Sequence, residues 1–405
     1  MKQPRATTVA ACIVVLAIAA GWAWWLYENR GPGPLKLSQA TYAELPAWTS
    51  NDPRSAISAF KRSCTAILRQ APSHAMGGEG YAGIAGDWVK VCGQVPAAQN
   101  AAAARRWLEA NFTPFLVAAG SDSQGLFTGY YEPELRGSAT AHGDYREPVY
   151  ARPDDLIDVD LGDFRDTLRG ERIAGRVEGS RLVPYATRAE IDAQGLKHAR
   201  VLFYAPDPVA VFFLHIQGSG RVMLDDGRAL RVAYDGQNGQ PYTAIGRSLI
   251  EQGAIDKEHM SMQAIRAWML ANPKMARAVM ESDKSFVFFK TLPVGDPQLG
   301  ADGAEGVPLT PGASLAVDPR LHAFGVPVFV SASAPADNPD QGQIPFNRLL
   351  VAQDMGGAIR GAVRGDIYWG YGSHAESIAG RMKSQGKFYV LLPKPLAARI
   401  AKAQS

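Results

Sequence analysis

The stretch AQDMGGAIRGAVRGDIYWGYG, residues 352–372, holds two acidic side chains, Asp354 and Asp366. Two carboxylates this close can share a proton as a dyad, work as an acid and its support, or simply close turns. Asp354 follows the apolar run RLLVAQ and precedes Gly356 and Gly357, where a backbone can approach a ligand closely. Its tripeptide DMG is only a weak sign of an aspartic-protease dyad, because the chain has no second one. Asp366 precedes Tyr368, Trp369 and Tyr371. Aromatic rings stack on the apolar faces of sugars, and burial among rings raises a carboxyl pKa by desolvation. A general acid working near neutral pH needs that shift. A turn aspartate beside core aromatics fits the same residues.

Other polar groups are candidates for holding a sugar. Gln217 and Ser219 follow an apolar run at a glycine turn in FFLHIQGSG. Tyr242 and Thr243 stand ahead of a helical pattern in GQPYTAIG, and Tyr130, Tyr131 and Glu132 fall in FTGYYEP. Each fits a turn or core role equally well. His215 alternates within an apolar run read as a strand and is expected to be a satisfied buried histidine. Glu132 and an aspartate would make the two-carboxylate pair of ordinary glycosidases, which the sequence leaves open. There is no Ser–His–Asp order, P-loop or dinucleotide fingerprint. No His/Cys spacing suggests a zinc site.

The elements that must position these residues follow from pattern. A chain of 405 residues suggests two folded domains. Apolar content of 46% and charged content of 20% are globular. The net charge of +3 is scattered, which argues against nucleic acid as a partner. The 41 glycines and 27 prolines indicate a β-rich chain with many turns. Helical spacing predicts helices at 53–71, 97–119, 243–253 and 261–280, and a capped turn after Thr187. Strands are expected at 201–204, 209–217 and 228–234, with DDG as a hairpin turn. From 286 onwards short strands with frequent glycines suggest a small barrel, with 334–346 a surface loop.

The N-terminus has Lys2 and Arg5, then an uncharged stretch from Ala6 to Tyr27 that is long enough to span a bilayer. Trp22, Trp24, Trp25 and Tyr27 close it as an interfacial belt does. An uncleaved signal anchor over residues 1–30 is favoured over a cleaved signal peptide, with the body outside the cytoplasm. Cys12 is read as embedded and unmodified. Export leaves Cys64 and Cys92, and two cysteines in an oxidising compartment are expected to pair.

FTGYYEPELRGS, RLVPYATRAEID, FFLHIQGSGR, NGQPYTAIGRSLI, MSMQAIRAW, GVPLTPGASLAVDPR and VAQDMGGAIRGAVRGDIYWGYG together resemble the membrane-bound lytic murein transglycosylase A family. The resemblance runs from about residue 45 to 393. It implies cleavage of the β-1,4 bond between N-acetylmuramic acid and N-acetylglucosamine in peptidoglycan, without water, leaving a 1,6-anhydro ring. The mechanism so implied requires no metal and no cofactor. It implies a mainly β fold with helices packed around it: a double-psi β-barrel domain, a second inserted β-barrel domain, and a glycan groove between them. The expected division is a linker at 31–45, a barrel domain from 46–135 plus 285–393, an inserted β-rich domain at 136–284, and a tail at 394–405. By the family's D-x-G-G-A-I and D-I-Y/F motifs, Asp366 is the expected acid and then base, and Asp354 its close support. Met355 stands where Thr or Val is commoner. Gln217, Ser219, Tyr242, Thr243, Tyr130, Tyr131 and Trp369 are the expected sugar-binding residues. Peptidoglycan strands are the expected partner, with the membrane contacted through the N-terminal segment. A hydrolytic glycanase on the same barrel, or a non-catalytic glycan-binding envelope protein, are the rival readings.

Overall fold

The computed structural model describes residues 33–97, 100–168 and 171–404. The expected signal anchor and Cys12 lie outside them. Among the described residues no helix is long and apolar enough to cross a membrane.

In chain order the strands are β1 (Leu35–Gln39), β2 (Phe112–Ala119), β3 (Gly125–Glu132), β4 (Glu134–Gly137), β5 (Glu147–Tyr150) and β6 (Ile157–Asp160). Then come β7 (Arg172–Glu178), β8 (Arg181–Pro184), β9 (Val201–Ala205), β10 (Ser219–Leu224), β11 (Ala229–Gln237) and β12 (Val287–Leu292). The last are β13 (Ser314–Val317), β14 (Pro327–Pro335), β15 (Gln343–Met355), β16 (Arg364–Tyr371) and β17 (Lys383–Pro393). Among the described residues, β17, β14, β15, β13, β16 and β3 pair in that order, and β3 pairs again with β17 to close a barrel. Closure removes the free edges that an open sheet would expose. Strands β1 and β2 extend the sheet from β17. Between β3 and β13 the chain builds a second sheet, ordered β12-β11-β10-β4, with the pair β5-β9 and the small sheet β6-β7-β8 beside it.

The main core is apolar and dense. Phe127, Leu315, Val317, Phe329, Leu350, Ile367 and Phe388 are all fully buried in it. Each is worth about 1.5–3 kcal/mol of transfer free energy. The helix Arg54–Ile67 lays Ile57, Phe60, Cys64 and Ile67 against this core. A disulfide joins Cys64 to Cys92, 28 residues on, and ties that helix to the short helix Val89–Cys92.

Several elements differ from their sequence expectations, each for a physical reason. The run 209–217 is helix, not strand, so His215 lies on a helix (Pro208–Gln217). An apolar run of this kind does not declare its period. Asp207 caps the helix by accepting from the Val209 N–H, Pro208 opens it, and Gly218 at φ +76° closes it. The helix expected over 97–119 ends at Asn111, and Phe112–Ala119 is strand. Pro114 cannot sit in a helix interior without losing a backbone bond. The span 261–280 breaks at Pro273 into two helices, Met262–Ala271 and Pro273–Glu281. The segment 31–45, expected as a linker, contributes β1, whose Leu37 reaches the core. The tail at 394–405 holds a helix, Lys394–Gln404, with Leu396 and Ala397 buried.

Replacing Cys64 and Cys92 together by Ser is expected to lower unfolding stability by about 2–4 kcal/mol, because the unfolded chain regains loop freedom. A urea midpoint equal to wild type in the oxidised protein would contradict this.

Candidate active site

Four strands, β15, β13, β16 and β3, lie side by side and carry the site. Along β13, Leu315 and Val317 turn into the core and Ala316 turns away from it. Ala316 pairs with Asp366 on one side and with Asp354 on the other. This small residue is thus the cross-strand neighbour of both aspartates. Asp366 faces away from the core because Gly365 and Ile367 beside it face in; a methyl at Gly365 would lie 2.8 Å from Leu315.

Asp354 reaches the same face through a bulge. Leu315 pairs with Ala352, yet Ala316 pairs with Asp354, so Gln353 is an extra residue in β15. In a regular strand Asp354 would share the core-facing side of Ala352. The extra residue turns it to the other side. Gln353 is fully buried and keeps its amide satisfied. It accepts from Ser314 Oγ at 2.5 Å and donates to the Ala59 carbonyl at 3.1 Å and Ser63 Oγ at 2.9 Å.

The two carboxylates are held differently. Asp354 accepts from three donors: Tyr130 Oη at 2.7 Å, the Ala304 N–H at 3.0 Å and its neighbour Met355 N–H at 2.9 Å. Asp366 accepts on Oδ1 from Thr128 Oγ1 at 2.6 Å. Its other oxygen, Oδ2, has no hydrogen-bond partner among the described residues. Arg364 donates to Thr128 Oγ1 at 3.0 Å, so the hydroxyl's proton is directed at Asp366. Burial pushes the Asp366 pKa up and the Asp354 charge adds to it, against the pull of Arg364 and Thr128. Burial also raises Asp354, against the bonds from Tyr130, Met355 and Ala304. Both side chains are half-buried. One carboxyl is therefore braced by three donors, and the other presents an oxygen without a hydrogen-bond partner among the described residues.

Of the expected sugar-binding residues, Tyr130 joins this group and the others stand apart. Tyr131 is buried against Ala375 and Ala379, on the other side of β3. Gln217 accepts from the Tyr131 N–H at 2.9 Å and so ties the second sheet's helix to β3. Ser219 is buried in β10 opposite Ala233. Tyr242 and Thr243 are exposed ahead of the helix Ile245–Glu251, with the Thr243 N–H on Asp283 Oδ1 at 2.9 Å. The Trp369 ring packs on Phe346 at 5.6 Å, on the core-facing side of β16. Glu132 is fully buried between Arg221 and Arg231, so it has no oxygen free for substrate. Sequence reading passed over Thr128, Arg364 and the Ala304 N–H. The period-two relation of Thr128 to Tyr130, and of Arg364 to Asp366, was the available signal. Among the described residues no group of His, Cys, Asp and Glu could hold a metal ion.

Two family models match this architecture: the MltA specific insert domain over residues 126–290 and the 3D domain over 313–392. The membrane-bound lytic murein transglycosylase A of Escherichia coli (strain K12) is 34% identical over 314 residues, spanning 74% of this chain and 77% of its own. The chain belongs to the membrane-bound lytic murein transglycosylase A family. Among solved structures, the membrane-bound lytic murein transglycosylase from Agrobacterium tumefaciens matches with TM-score 0.77 and 32% identity, covering 90% of this chain and 99% of that one. The E. coli MltA structure with bound chitohexaose matches with TM-score 0.64 and 26% identity, over 90% and 96% of the two chains. The 3D match contains Asp354 and Asp366, and the MltA insert match begins at Leu126 on β3, just before Thr128 and Tyr130. Both matched regions therefore contribute to the carboxylate site of this family member.

A third carboxyl lies behind the site. Glu305 is the neighbour of Ala304; its N–H donates to the Gln353 carbonyl at 3.0 Å and its Oε2 accepts from Ser63 Oγ at 2.6 Å. Burial raises its pKa from 4.5 to about 7, outweighing the bonds from Ser63 and Gln353. The folded state thus holds this proton more tightly than the unfolded chain. Its contribution to stability is full below pH 4.5 and is lost as pH rises to about 7. Glu305→Gln is expected to flatten the fall in urea midpoint across that range. An unchanged pH slope in the variant would contradict it.

Proposed function

We propose that this chain is a lytic transglycosylase. It cleaves the β-1,4 bond between N-acetylmuramic acid and N-acetylglucosamine in peptidoglycan and leaves a 1,6-anhydromuramic end. The asymmetry of the two carboxylates carries this reading, and kinship with a relative solved with bound chitohexaose supports a glycan substrate. Asp366 enters the reaction protonated, and its Oδ2 gives the proton to the glycosidic oxygen as the bond to the anomeric carbon breaks. The muramyl 6-hydroxyl then attacks that carbon, and its proton returns to Asp366. The nucleophile is part of the substrate, so seating the sugar supplies its effective concentration. Asp354, braced by Tyr130 and two backbone N–H groups, contributes negative charge beside the oxocarbenium-like state.

A hydrolytic glycanase needs a second carboxylate free to activate water. The bonds to Asp354 and the arginines on Glu132 weigh against one here. The same reading assigns 46–135 with 285–393 to a double-psi barrel domain and 136–284 to an insert. It puts the body in the cell envelope, attached to the membrane through residues 1–30 as a signal anchor.

Asp366→Asn is expected to lower kcat for release of anhydro-muropeptides from purified sacculi by roughly 10²–10⁴-fold, with KM little changed. Release at the wild-type rate by this variant would remove Asp366 from the acid role.

A further inference from the structure

Thr128, Tyr130 and Glu132 alternate along β3 and project from one side of it. The first two hold Asp366 and Asp354. The third meets two arginines of the second sheet: Arg221 Nε lies 3.3 Å from its Oε2, and Arg231 Nε lies 3.2 Å from its Oε1. The Ala301 N–H also donates to Oε1, at 2.9 Å. The arginines reach on to the chain that returns to the barrel. Arg231 Nη2 donates to the Leu299 carbonyl at 2.6 Å, and Arg221 Nη2 to that of Pro297 at 2.8 Å. Glu132 itself stands where the chain leaves the barrel for β4. Outgoing and returning crossings therefore close on one carboxylate. Arg221 also lies over the Tyr371 ring, 3.3 Å from its centroid, at the end of β16. These charges have little or no access to water, with Glu132 fully buried and Arg231 5% exposed. Removing one partner of such a group strands the others, so the junction has one strongly preferred geometry.

We propose that Glu132 is a positioning residue for the transglycosylase reaction. Through Arg221 and Arg231 it fixes the β12-β11-β10-β4 sheet against the strand that carries Thr128 and Tyr130. A glycan seated across both sheets is thereby aligned on Asp366; this last step rests on the function proposed above.

The test uses the full chain with Cys12→Ser and spin labels at Met223→Cys on β10 and Lys383→Cys on β17. Glu132→Gln keeps the shape and an acceptor for Ala301 but leaves both arginines uncompensated. The expected result is a broader distance distribution between the labels. In the unlabelled Glu132→Gln chain, KM for sacculi should rise about tenfold or more, with kcat within a few-fold of wild type. That split is the reverse of the one expected for Asp366→Asn, so the two assignments fail separately. An unchanged distribution with wild-type KM, whatever the melting temperature, overturns the positioning role. A broadened distribution with wild-type KM overturns the alignment step and the reading of a glycan that spans both sheets. Should Glu132→Gln not fold, Glu132→Gln with Arg231→Met leaves one stranded cation fewer and is judged by the same outcomes.

Discussion

One extra residue in β15 decides which way Asp354 faces. Without Gln353 out of register, Asp354 would point into a core of Leu315, Val317 and Ile367. An unpaired carboxylate there costs several kcal/mol, and the group would take up a proton instead. The bulge turns Asp354 away from the core and sends the Gln353 amide inward. That amide brings its own demand, which Ser314, Ser63 and the Ala59 carbonyl meet. The helix Arg54–Ile67 supplies two of those three partners, so the disulfide-tied helix is part of the site's foundation.

The same bulge gives two aspartates in similar surroundings different partners. Both flank Ala316, and both feel burial. Asp354, at the end of its strand, meets the loop that carries Ala304 and the Tyr130 hydroxyl. Asp366, within β16, accepts one hydrogen bond among the described residues, from Thr128, whose hydroxyl is oriented by Arg364. Burial raises both carboxyl pKa values, and the number of donors opposing that rise differs between them. Strand β3 links these local facts to the architecture, since its alternate residues touch Asp366, Asp354 and the second sheet in turn.

Much of the fold was legible in the chain. The glycine-rich short strands from 286 onwards indicated a barrel; those from β13 onwards close one with β3, whereas β12 joins the second sheet. The errors lay where local pattern is silent. VAVFFLHIQ is apolar without a break from Val209 to Leu214, and Asp207 and Pro208 were the local helix signals. Asp354 and Asp366 were visible as candidates from their neighbours, and the family motif ranked them. Their asymmetry was not visible, because it depends on a strand bulge and on two donors far away in sequence, the Ala304 N–H and the Tyr130 hydroxyl. Thr128 and Arg364 were missed because neither is a usual catalytic type; they matter through pairing across strands. Trp369 is a case of the opposite kind. It follows Asp366 by three residues, and an odd step along a strand puts its ring on the other side.

The central claim is that one carboxyl acts as acid and then base while the substrate supplies the nucleophile. Digestion of purified sacculi in H₂¹⁸O, followed by mass spectrometry of the released muropeptides, tests it most directly. The account predicts anhydro products one water lighter than reducing-end products, with no ¹⁸O at the anomeric carbon. Reducing-end products carrying ¹⁸O there would contradict it and make the enzyme a hydrolase.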